Sequence, residues 1–211
     1  MRVTGSDDQE RGFSMIELLT VLAVLVILVA LATLHIQPTL QEYQSNAAMD
    51  QVKGTLRQAR ELAISRRRGM FVDIQNDAQG RMAIQLYQAS VAPNIPVLPA
   101  LVTIPIESTV QVATFGAEVD TPDRFGVPPV SINGTGIEFG GAVVGPELGE
   151  FQEDGSFTDR NLVLLNGTVF LTPNNIANNM LLSGARAVTI MGTTGRIRSY
   201  HYSGAGWRQV E

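Results

Sequence analysis

Three successive patterns of apolar and polar positions divide this sequence. From Phe13 to Ile36 almost every side chain is apolar, and Glu17 is the only fully charged one. As a helix this run extends about 36 Å, against about 30 Å for the hydrocarbon core of a bilayer, so its length predicts a membrane-spanning helix. Pro38 comes next, and a proline is expected to interrupt that helix or end its first segment. Thr39 with Glu42 three residues later then resembles a fresh capping start. Beyond it Met49, Val52, Leu56, Ala59 and Ala63 recur in steps of three and four, with Leu62 widening the stripe. That spacing predicts an amphipathic helix whose apolar face packs on the sheet C-terminal to it. Arg66-Arg67-Arg68-Gly69 closes it, with bases near the negative helix end and a glycine just beyond.

After Gly69 the period shortens. Met70–Ile74 and Met82–Tyr87 read as strands of a hairpin, joined through Asn76-Asp77-Ala78-Gln79-Gly80. Pro93, Pro96, Pro99 and Pro105 mark a loop or irregular edge. Further strands are predicted at 109–115, 137–144, 162–171, 186–191, 196–202 and 206–210. The segments are therefore a short leader (1–12), an apolar helix (13–36), an amphipathic stalk helix (37–68) and a β-rich globular domain (69–211). The fold class is α+β, a long N-terminal helix packed on antiparallel strands.

Composition narrows the chemistry. The 211 residues include no cysteine, which removes disulfides, zinc knuckles and thiol nucleophiles. The formal net charge of −5 hides an asymmetry. Residues 107–159 hold ten acids against Arg124 alone, whereas Arg160, Arg186, Arg196, Arg198 and Arg208 have no acid among them up to Val210. No enzyme motif is present: His35 and His201 are isolated, and there is no P-loop, H-E-x-x-H or G-x-S-x-G. Asp120, Asp123 and the Glu150–Asp154 cluster match no calcium-loop spacing and read as solvated turns. Asn133-Gly134-Thr135 and Asn166-Gly167-Thr168 also read as turns. The chain is expected to be non-enzymatic and to need no cofactor or metal.

A carboxylate inside an apolar run costs several kcal/mol unless it finds a partner, so Glu17 demands an explanation. A cleaved secretory signal with a cut after Ala32 is one reading of the segment. It calls for a basic start, yet residues 1–17 carry Arg2 and Arg11 against Asp7, Asp8, Glu10 and Glu17. A second reading accounts for more residues. Arg11-Gly12-Phe13-Ser14-Met15-Ile16-Glu17-Leu18-Leu19 resembles the type III signal of type IV prepilins and type II secretion pseudopilins. The resemblance implies cleavage by prepilin peptidase between Gly12 and Phe13, N-methylation of Phe13, and a filament-assembly role for Glu17 as the fifth residue of the mature chain. Residues 13 and 17 lie one helical turn apart, so the new amine and the carboxylate could pair, within a subunit or between staggered neighbours. The resemblance also implies a cytoplasmic leader, a single pass through the bacterial inner membrane, and a periplasmic globular domain. Its implied partners are other pilins or pseudopilins and an inner-membrane assembly platform.

Leu56-x-x-Ala59-Arg60-x-x-Ala63-Ile64, Phe151-Gln152-Glu153-Asp154-Gly155 and Gly195-Arg196-Ile197-Arg198 are similar to stretches of the GspH/FimT branch of that family, although Glu153 stands where the branch has proline. The implied function is a minor pilin or pseudopilin of a type II secretion or type IV pilus filament. The alternative is a DNA-binding minor pilin in natural transformation. In that reading Arg196, Arg198 and Tyr200, on one face of a strand, meet phosphates and a base, with Arg208 nearby.

Overall fold

The computed structural model describes residues 14–76, 82–91, 94–106, 108–113, 121–124, 136–139, 148–173 and 184–210, without the side chains of residues 32–38, 76, 113 and 136–139. The chain divides into two compact units, Met1–Leu40 and Gln41–Glu211. Helix α1, Met15–Arg66, contributes to both. It passes through Pro38 without a break, so the expected interruption and the new start at Thr39 do not occur. A proline withholds only its own N–H from the helical ladder, and the hydrogen bonds on either side can hold the segment in register.

The second unit consists of the remainder of α1 and two sheets. The first sheet has the order β3-β2-β1-β6-β7. Its members are β1 (Met70–Asn76), β2 (Met82–Gln88), β3 (Val102–Pro105), β6 (Gly149–Phe151) and β7 (Phe157–Thr158). The second sheet has the order β11-β10-β9-β8-β4, with β5 also on β8. Its members are β4 (Val110–Ala113), β5 (Gly136–Phe139), β8 (Asn166–Pro173), β9 (Arg186–Met191), β10 (Arg196–Tyr202) and β11 (Trp207–Val210). β4 pairs antiparallel with residues 170–173 of β8, and β5 pairs parallel with residues 166–169 of the same strand. The sheet is therefore not wholly antiparallel. The predicted hairpin forms, with Met70 opposite Gln88 and Asn76 opposite Met82. The proline-rich stretch ends in a strand after all, because β3 lies at the sheet edge, where a missing N–H is tolerated. Asn166 begins β8 rather than forming a turn, and its Oδ1 accepts a bond from the Gly192 N–H at 3.0 Å. The stretch 133–135 lies outside the described residues.

The amphipathic stripe explains the packing. Met49, Val52, Leu56, Ala59 and Ala63 are all buried, and they form one core with Val72, Ile84, Phe151, Val169, Val188, Ile190 and Ile197 from both sheets. Alternate residues of the second sheet point the other way, where Phe170, Ala187, Tyr200, Tyr202 and Trp207 form a separate aromatic cluster. Polar ties fix the helix. Gln51 Nε2 donates to the Pro105 carbonyl at 2.7 Å, and buried Arg186 donates through Nε to Asn46 Oδ1 at 2.7 Å.

The helix ends two residues earlier than its glycine suggests. Arg67 takes the left-handed conformation, φ 49°. Its N–H donates to Ile64 O and that of Arg68 to Ala63 O, the paired bonds of a Schellman motif. Gly69 is required for another reason: a Cβ there would overlap the Oε1 of buried Glu150.

Candidate functional site

Gly12 and Phe13, the expected processing residues, lie outside the described residues. The chain immediately after them is helical. The carbonyl of Ser14 accepts from Leu18 N at 3.1 Å and from Glu17 N at 3.0 Å, which makes Ser14 the N-cap. Glu17 is then the third residue of the helix, the position of the acid in a capping box, where a carboxylate meets the positive helix end. Its side chain is exposed. The apolar residues beyond it, Leu18 to Leu31, are mostly half-exposed and occupy every face of the helix, with Val26 at 67% and Leu31 at 52%. A helix that is apolar all round needs a lipid or protein environment to cover it. Among the described residues no helix is long and apolar enough to cross a membrane. The described side chains pause at Leu31, whereas the apolar run of the sequence continues to Ile36.

The three stretches that resemble the GspH/FimT branch meet at one point. Arg60 on α1 donates through Nε to the carbonyl of Gly155 at 3.2 Å. Gly155 ends the turn after Phe151, with φ 83°. Gly195, with φ 60°, lies against both, since a Cβ there would overlap Gly155 O and stand 3.0 Å from Arg60 Nε. The turn holds its shape without a proline at Glu153. Asp154 Oδ1 accepts from Ser156 N at 2.8 Å and from Ser156 Oγ at 2.6 Å, and the Ser156 hydroxyl and N–H hold this carboxyl below its usual range.

From this junction a cleft of about 590 Å³ runs between α1 and β10. Lys53, Arg57 and Arg60 line it from the helix and Arg196 and Arg198 from the strand, with Glu61 as the only acid among the described lining residues. Lys53 is 9% exposed. Sequence reasoning singled out Arg60 within its stretch but did not join it to Lys53 and Arg57, because it followed the apolar stripe through that part of the helix. Their spacing, 53, 57 and 60, places them on one side of the helix and was a usable signal.

The four residues expected to contact nucleic acid do not form one surface. Arg198 and Tyr200 share a face of β10 as expected, but that face packs on the loop 121–124. Tyr200 is 1% exposed and donates to Asp123 Oδ2 at 2.8 Å, so its ring is not available to stack on a base. Burial first, and then the bond to the Asp123 carboxylate, push its hydroxyl up to about 12. Asp123 also accepts from Thr121 Oγ1 at 2.7 Å and Thr189 Oγ1 at 2.6 Å, so this acid anchors the loop as a hydrogen-bond acceptor. Arg208 pairs across the strands with His201, on the opposite face from Arg198. Arg196 alone of the four is both exposed and beside the cleft. Among the described residues no group of three His, Asp or Glu could hold a metal ion.

Comparison with known proteins bears on the N-terminus. The model of the prokaryotic N-terminal methylation motif matches residues 8–33. None of the curated proteins matches the chain in sequence. Among solved structures, the minor pseudopilin EpsH from the type 2 secretion system of Vibrio cholerae is similar at 14% identity and a TM-score of 0.41, over 76% of this chain and 97% of that one. Likeness that slight carries no argument about fold or function. The methylation motif covers the residues that carry the prepilin resemblance, and the N-terminus of the chain is similar to that of type IV pilin-like proteins.

Proposed function

We propose that the chain is a non-enzymatic minor pilin or pseudopilin of the GspH/FimT branch, a structural subunit of a type II secretion or type IV pilus filament. Prepilin peptidase cuts it after Gly12, Phe13 is methylated, and residues 13–36 hold it in the inner membrane with the globular domain in the periplasm. From there the assembly platform passes it to other pilins or pseudopilins. The observation that carries this reading is the methylation motif over residues 8–33, continued by a helix apolar on every face. Such a helix suits lipid before assembly and the packed helices of a filament afterwards. In both settings the amine created at Phe13 is a nearby counter-charge for Glu17.

Intact-mass measurement of the protein recovered from bacterial membranes tests the processing step. The expected product starts at Phe13 and carries one added methyl group. A product that starts at Met1 or Thr33 refutes the reading. Glu17→Gln is expected to be cut normally and to fail to enter filaments, and its normal co-assembly would refute the pairing role.

A further inference from the structure

We propose that Arg186, His201 and Arg208 of the second sheet form, with Glu42 of α1, a pH-sensitive clasp between helix and sheet. While His201 is neutral, Glu42 stays with Arg186. Once His201 is protonated it competes for that carboxylate, and α1 loosens from β9. This goes beyond the filament reading and does not depend on it.

Strand register sets the row. His201 of β10 stands directly opposite Arg186 of β9 on one side and Arg208 of β11 on the other. All three belong to the face that α1 covers, because they alternate in step with Val188, Ile197 and Val210, which pack in the core with the helix. Side chains directly opposite on one face are close neighbours, and like charges there are destabilising. The charges that act on His201 are Arg186 from β9, Glu42 from α1 and Arg208 from β11. Its same-face neighbours on β10 and just beyond it, Ser199 and Ser203, carry none. One acid therefore faces two permanent cations and a titratable base.

The counter-ion of Arg186 is loosely held. Arg186 is fully buried and donates through Nε to Asn46 Oδ1 at 2.7 Å and through Nη1 to the Ala185 carbonyl at 3.2 Å. Its Nη2 makes no hydrogen bond and approaches Glu42 Oε1 only to 3.8 Å. The Glu42 side chain is 59% exposed, which leaves it free to swing toward a second cation. A buried guanidinium that loses its carboxylate is strongly destabilised. Burial, and then the Arg186 charge, hold the His201 imidazole below its usual 6.5, with Glu42 opposing and Arg208 adding to them. The unfolded chain thus takes up this proton first, and stability falls as pH drops from 6.5 through the lowered folded value.

NMR titration and amide hydrogen exchange of the detergent-solubilised full chain test the proposal. The chain has two histidines, so His35→Gln leaves His201 as the single imidazole signal. Its midpoint should lie below 6.5. In that background Arg208→Gln should raise the midpoint by at least about 0.3 pH unit and Glu42→Gln should lower it by a similar amount. Between about pH 7.5 and pH 5.5, exchange at residues 42–49, corrected for its intrinsic rate, should quicken at least about threefold. In His201→Gln the same change should be under about 1.5-fold. A midpoint at or above 6.5 overturns the proposal, as does equal pH dependence of exchange in His201→Gln and wild type. Arg208→Gln alters an exposed side chain and decides the matter if His201→Gln does not fold: an unmoved midpoint there also overturns the clasp.

Discussion

Gly195→Ala is the sharpest test of the junction where α1, the turn after β6 and the start of β10 meet. Two costs add there. Alanine must adopt φ 60°, which costs roughly 1–2 kcal/mol for a residue with a Cβ. The new methyl also overlaps the Gly155 carbonyl, a backbone atom that cannot rotate aside, and crowds Arg60 Nε at 3.0 Å. Relieving that overlap moves the turn away from Arg60 and weakens the 3.2 Å bond, a further cost of roughly 1–3 kcal/mol of the overpacking kind. The expected total is about 2–5 kcal/mol. Gly204→Ala supplies the control. Its φ is 83°, yet nothing lies within 4 Å of a Cβ there, so only the conformational cost of roughly 1–2 kcal/mol applies. Urea unfolding monitored by the emission of Trp207, the single tryptophan, buried beside Tyr202 and Phe170, reads both variants. Equal losses for the two would show that the junction is not a close contact and would refute the convergence of the three stretches.

Buried groups support three further expectations. Tyr200→Phe removes a hydrogen bond to a carboxylate and should cost about 1.5–3 kcal/mol at neutral pH, read as a lower urea midpoint. Because the folded state raises the Tyr200 hydroxyl from 10.0 to about 12, it binds that proton more tightly than the unfolded chain. Its contribution is complete below pH 10 and lost between pH 10 and 12, so the wild type should lose more stability there than Tyr200→Phe; parallel losses would contradict this. Burial raises the Glu150 carboxyl above 4.5, against the opposing bonds of Asn94 and Gln152. Stability therefore falls as pH rises through that raised value, and Glu150→Gln should be more stable than wild type at neutral pH and not in acid; a destabilised variant at neutral pH would contradict this. Leu56→Ala should cost about 2–5 kcal/mol by opening a cavity under both sheets, while Leu40→Ala, at an exposed position, should cost under about 0.5 kcal/mol, and similar unfolding midpoints would contradict the packing.

Periodicity revealed the fold wherever it ran long enough. The stripe from Met49 to Ala63 specified the buried face of α1, and the apolar alternation of β1, β2, β9 and β10 located those strands. It missed β6 and β7 because three and two residues cannot establish a period. It did not show that β5 runs parallel to β8, since residue order along a strand carries no sign of its neighbour's direction. Local rules misread the helix end for a related reason. A glycine near a helix terminus normally supplies the left-handed residue, but Gly69 is kept small by Glu150, distant in sequence, and Arg67 takes that conformation instead.

The site was legible in its parts and not in its assembly. Arg60, Gly155 and Gly195 each stood out in the sequence within a separate stretch, yet nothing in a single sequence says that residues 95 positions apart share a hydrogen bond. The basic strand shows the same limit. Alternation placed Arg196, Arg198 and Tyr200 on one face, which is correct, but parity does not tell which face another element will cover. The loop at Asp123 covers most of this one, burying the ring expected to stack and leaving Arg196 at the margin. The cations gather instead in the cleft beside β10, where Lys53, Arg57 and Arg60 of α1 stand with Arg196.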